Sequence, residues 1–88
     1  MTPDQVRRLF GAGASLRAVM VDAGISQAAV AELAKSDQPR VAVVLAGKVG
    51  ATEPAHATAR RIYQAVADLL GISVNEVVKA VHGEHATI

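Results

Sequence analysis

Hydrophobic positions recur along this chain in short blocks at helical spacing, and each block is closed by glycine or a polar turn. Val6, Leu9 and Phe10 form the first apolar face. Thr2 with Gln5 three positions on is a capping-box pattern, and Pro3 suits a first helical turn. Gly11 and Gly13 end that helix. Ser15 is placed to cap a second helix, Leu16–Ala23, stopped by Gly24. Ser26 caps a third, with Val30, Leu33 and Ala34 expected inward. Asp37 caps a fourth, with Val41, Val44 and Leu45 inward. Lys48–Ala51 is expected to be a loop. Thr52 and Pro54 open a fifth helix carrying Ile62, Val66, Leu69 and Leu70, closed by Gly71. Ser73 and Glu76 form a second capping box before a last helix with Val77, Val78 and Val81. His82–Ile88 reads as a frayed tail. Val41–Ala46 is β-prone in isolation, but Pro39 and Gly47 frame it as a helix. The expectation is an all-α fold.

The 88 residues make one small domain, with little surface to bury. Hydrophobic residues are 51% and charged residues 19%, enough apolar content to fold. One Phe, one Tyr and no Trp leave a core of Val, Leu, Ile and Ala. The net charge of +1 does not select a partner, so a basic surface would have to come from charge distribution. The absence of Cys excludes disulfides and thiolate metal sites. No apolar run is long enough for a membrane span, and no signal-peptide pattern opens the sequence, so a cytoplasmic setting is expected.

Ser26–Lys48, SQAAVAELAKSDQPRVAVVLAGK, carries the functional argument. It reads as two short helices joined by a tight turn, the form of a helix-turn-helix that lays its second helix in the major groove of DNA. Such a pair needs a small residue at the crossing, here Ala31, and inward apolar positions, here Val30, Ala34, Val41 and Val44. Lys35 stands where glycine would suit a positive φ. A second register, 16–35, places Gly24 in the turn but the bulky Met20 at the crossing. Its reading face would offer Gln27, Ala28, Ala29 and Glu32, and phosphates repel the last. The first register presents Gln38, Arg40 and Val43 with Lys48 beyond, and is preferred because Arg bonds guanine and Gln bonds adenine.

On these residues Ser15–Val81 resembles the lambda-repressor/Cro-like helix-turn-helix domain of phage and bacterial regulators. GISQAAVAELA is similar to the family's first motif helix, and VAVVLAGK to the end of its recognition helix. ARRIYQAVADLLGISVNEVV resembles its last two helices. The resemblance implies a five-helix bundle, 15–81, with an extra N-terminal helix, 1–14, and a tail, 82–88. It implies that Gln27 bonds a phosphate, that Gln38, Pro39 and Arg40 reach base edges, that Val43 faces the groove, and that Lys48 contacts the DNA backbone. The sequence departs from the family at Lys35, at Pro39 and in the apolar Ala42–Val43 pair.

The expected function is therefore sequence-specific binding of double-stranded DNA by a small transcriptional regulator of phage or mobile-element origin. Helix 37–46 would be the reader, and a homodimer would sit on a two-fold site. The competing expectation is a protein-interaction module, an antitoxin or adaptor. Arg60 and Arg61 read equally as phosphate contacts or as a solvated face. Arg7, Arg8 and Arg17 read more simply as surface residues, and Phe10 as core or interface filler. His82, Glu84 and His85 lack a fourth ligand and make a poor metal site. No phosphate loop, no nucleophile with a base and no cofactor-binding pattern is present, so neither catalysis nor a cofactor is expected.

Overall fold

The computed structural model describes residues 1–50 and 52–82, and these form six helices with no strand among them. In chain order they are α1 (Pro3–Gly11), α2 (Leu16–Asp22), α3 (Gln27–Ala34), α4 (Gln38–Leu45), α5 (Glu53–Leu70) and α6 (Val74–His82). The all-α class read from the sequence holds. Ala51, at the end of the expected loop, and the segment 83–88, which includes Glu84 and His85, lie outside the described residues.

Local chemistry explains where the helices start. Thr2 Oγ1 accepts from the Gln5 backbone N–H at 3.2 Å, and the Gln5 side chain accepts from Thr2 N at 2.8 Å. Ser15, Ser26, Asp37 and Thr52 each accept from the backbone N–H three residues on. Ser73 and Glu76 repeat the reciprocal box ahead of α6. Each cap satisfies a donor that the helix cannot satisfy itself, typically contributing about 1 kcal/mol.

The core explains why they stay. The seven largest side chains almost wholly removed from solvent are Val6, Val19, Val30, Val41, Ile62, Val66 and Val77. Every helix supplies at least one, and all are β-branched. Such residues are indifferent helix formers, so packing rather than propensity holds these segments helical. Each fully buried side chain contributes about 1.5–3 kcal/mol of transfer free energy. The β-prone run of α4 is a case in point, since Val41 and Val44 are both buried.

α5 is the central element. It packs on α3, α4 and α6, while α2 packs on α1 and α6 and α3 packs on α4. The N-terminal helix is part of this arrangement, because Val6 lies in the same buried cluster. Gly71 ends α5 at φ 72°, and a Cβ there would stand 3.1 Å from Pro3 Cγ. The end of α5 and the start of α1 therefore meet where a side chain would be both crowded and strained.

Four sequence expectations need correction. Leu33 and Leu69 were expected inward but are 50% and 41% exposed. Ala31, not Leu33, completes the buried face of α3, which rotates Leu33 outward. On α5 the buried face runs through Tyr63, Ala67 and Leu70, leaving Leu69 at its edge. Leu45 packs against the core only in part. His82 belongs to α6 rather than to a tail, and its ring bonds Tyr63.

Candidate nucleic-acid interface

The α3–α4 pair is built by its turn. Lys35 adopts φ 55°, ψ 48°, and is the sole non-glycine residue with positive φ among the described residues. Ser36 N donates to Ala31 O at 2.8 Å, and Lys35 N donates to Glu32 O at 3.2 Å. These two bonds are a Schellman ending with Lys35 at the left-handed position. Two residues on, Asp37 Oδ1 accepts from Arg40 N at 2.8 Å and starts α4. Reversal and restart thus take only Lys35, Ser36 and Asp37.

Gly24, at φ 73°, ends α2 in the same way, with Ile25 N donating to Met20 O at 2.8 Å. The turns after α2 and α3 are therefore both left-handed helix endings. Packing distinguishes them. α3 lies on α4 and α5, whereas α2 turns to α1 and α6. Ala31 is buried in α3, as a close crossing with α4 requires, and Met20 is a buried core residue of α2.

At 100° per residue, burial of Val41 and Val44 turns Pro39 and Ala46 directly away from the core. Val43 lies beside them, half exposed, and Ala42 is partly covered. The outermost strip of α4 is consequently apolar and carries no hydrogen-bonding side chain. Gln38 and Arg40 are exposed on either side of this strip.

α4 separates two depressions. One, about 550 Å³, lies between α2 and α4, with Arg17, Gln27, Ala42 and Leu45 among its walls. The other, about 330 Å³, holds Arg40, Val43 and Lys48 together beside Thr52 and Pro54 at the start of α5. Arg40, Val43 and Lys48 thus converge on one side of the helix, and Gln27, half-buried at the start of α3, sits on the other with Arg17. Gln38 and Pro39 lie on the first turn of α4 and line neither depression. Arg17 was not singled out as part of this surface in the sequence, because nothing in local spacing links α2 to α4.

Electrostatics follow the same division. Arg17, Lys35, Arg40 and Lys48 are exposed, and none forms an ion pair among the described residues. Arg7 is different. Its Nε lies 2.7 Å from Glu76 Oε1, with Asp4 also within reach at 3.6 Å. Arg61 is also engaged, with Nε donating to Ala34 O at 3.2 Å and Nη2 to Thr58 Oγ1 at 3.5 Å. Of the paired arginines of α5, only Arg60 is without such a bond among the described residues.

No cluster of three or more His, Asp or Glu side chains with metal-binding geometry occurs among the described residues. No helix there is long and apolar enough to cross a membrane. Comparison with protein-family models, with curated proteins and with solved structures finds no match for this chain.

Proposed function

We propose that this protein binds double-stranded DNA as a small transcriptional regulator, with α4 docked in the major groove. The observation that carries this reading is the placement of unpaired polar and cationic groups on both sides of one short helix, itself held by a three-residue turn to α3. Arg40 and Lys48 flank it on one side, and Gln27 and Arg17 on the other. A helix lying in a groove meets a phosphate row on each side, and phosphate contacts fix its register while base contacts specify sequence. Gln27 and Lys48 take the backbone role in this reading. Gln38 and Arg40, early in α4, reach base edges, with Arg40 suited to guanine. Pro39 and Val43 offer only apolar contact, for which a thymine methyl is the matching group.

So small a set of readers suits a pair of copies on a two-fold site better than a single copy. A repressor of phage or mobile-element origin, acting at the bacterial nucleoid, is the setting this reading implies. Binding to duplex DNA measured across a salt series tests it. Neutralising four to six phosphates per pair of copies gives a log–log slope of about −4 to −5. A slope near zero, or no binding at low salt, refutes the reading.

One observation favours a second reading. The outermost strip of α4, Pro39, Val43 and Ala46, is apolar, as suits a protein partner better than a base edge. On that reading the chain is an interaction module, an antitoxin or adaptor. Val43→Asp would then abolish partner binding, whereas salt would affect it little.

A further inference from the structure

We propose that Arg61 is a positioning residue that sets the angle at which α4 is presented. This rests on the DNA-binding reading for its consequence, though not for its geometry. Ala34 is the last residue of α3, and its carbonyl belongs to the group that a helix end leaves without an internal partner. Arg61, twenty-seven positions along the chain, donates its Nε–H to that carbonyl. A cation at a helix C-terminus also meets the negative end of the helix dipole. The same guanidinium reaches Thr58 Oγ1, which in turn donates to Pro54 O at 2.9 Å. A chain of hydrogen bonds thus runs from the first turns of α5 to the residue just before the left-handed Lys35.

The turn has few other side-chain restraints. Ser36 Oγ is buried with no hydrogen-bond partner among the described residues, so it adds no side-chain hydrogen bond to the turn. Asp37 caps α4 but bonds only within it. Among the described residues, Arg61 is therefore the side chain from outside the pair that hydrogen-bonds at the α3 end of the turn. Its planar fork is what makes two simultaneous bonds possible, and an ammonium is a poor substitute at such a site.

The test compares wild type with Arg61→Ala, Arg61→Lys and Thr58→Val. Two readouts are used: amide hydrogen exchange at Lys35 and Ser36, whose N–H groups are bonded in the turn, and binding to a duplex selected by the wild-type protein against a random duplex. Exchange in the turn is expected to rise at least tenfold in Arg61→Ala and Arg61→Lys, with exchange in the α5 core unchanged. Selected-site affinity should fall about tenfold in both variants, random-duplex affinity should hold, and the salt slope should stay the same. Thr58→Val should give a smaller shift in the same direction. A slope shallower by about one in Arg61→Ala, restored by Arg61→Lys, would identify a phosphate contact instead and overturn the proposal. Unchanged exchange in the turn would also overturn it. If wild type selects no duplex, the DNA reading fails, and the exchange measurement alone decides whether Arg61 holds the turn.

Discussion

The Tyr63 hydroxyl stands 3.1 Å from His82 Nε2, joining the middle of α5 to the last turn of α6. The two rings meet edge to face, with centroids 6.1 Å apart. Tyr63 is buried, and burial pushes its phenol pKa upward, so the hydroxyl remains a neutral donor and acceptor. His82 is exposed and also lies against the end of α4, since a Cβ on Gly47 would stand 3.8 Å from its Nδ1.

The asymmetry of that pair yields an ordering. Tyr63→Phe removes the part-buried hydroxyl and leaves an exposed imidazole that water can satisfy, a loss of about 0.5–1.5 kcal/mol. His82→Ala leaves that hydroxyl without its partner and removes the ring packed edge-on against Tyr63, at about 1–3 kcal/mol. Denaturant melts should rank wild type above Tyr63→Phe and Tyr63→Phe above His82→Ala, with the double variant recovering part of the loss. Equal stability of the two single variants would mean that water reaches the Tyr63 hydroxyl.

Acid should loosen the junction of α1 and α6. The Arg7 guanidinium, helped by the Ser73 backbone N–H, lowers the Glu76 pKa to about 2. A carboxyl depressed in the folded state stabilises it above the ordinary carboxylate range, and that contribution is lost as pH falls from about 4.5 toward 2. Melting temperature should therefore drop over this window in wild type more than in Glu76→Gln. The pair is largely solvated, so the difference should be small and should shrink further in high salt. Parallel acid profiles for the two proteins would show that the pair contributes nothing.

Lys35→Gly should stabilise the protein. A left-handed conformation costs an L-residue about 1–2 kcal/mol, and glycine avoids the cost while keeping both bonds of the turn. Glycine's greater freedom in the unfolded chain returns part of this, so the net gain should be about 0.5–1 kcal/mol, read as a higher denaturation midpoint. Lys35→Val should move the midpoint the other way. A less stable glycine variant would mean that the Lys35 stem packs usefully on its surroundings.

Arg40→Ala separates reading from anchoring. The Arg40 side chain is exposed, and its part in capping uses only the backbone N–H, so stability should change by less than about 0.5 kcal/mol. If Arg40 reads guanine, selected-site affinity should fall by about 1–3 kcal/mol with preference relaxed at one base pair. Random-duplex affinity should change little. Equal losses on both duplexes would assign Arg40 to a phosphate, and no loss on either would move the reading surface away from α4.

Much of the fold was legible because its signals are local. The caps at Thr2, Ser15, Ser26, Asp37, Thr52 and Ser73 act over three residues, and the inward valines repeat at helical spacing. What escaped was set by partners distant in sequence. Leu33 lies near Val30 and Ala34 on the helix, yet α3 packs on both α4 and α5, and that packing covers Ala31 and leaves Leu33 half exposed. His82 looked like the start of a tail because its partner is nineteen residues away. Arg61 resembled any surface arginine, since the carbonyl it holds belongs to another helix. At the candidate interface, Gln38, Arg40 and Lys48 are candidates from one segment of sequence, and the structure leaves all three exposed. Arg17 is not such a candidate, because only the fold brings α2 beside α4.

Each of the six helices places at least one fully enclosed β-branched side chain in a single cluster. No segment therefore owns a core of its own, and α4, with just two buried residues, has no existence as a helix apart from its neighbours. Global loss of the α4 surface and loss of the native state should be one event, with a common midpoint whether followed at α4 or at α1. If α4 docks as proposed, a mutation at the far end of the molecule, such as Val6→Ala, would lower the fraction of molecules able to dock without altering how tightly each intact molecule holds a ligand there.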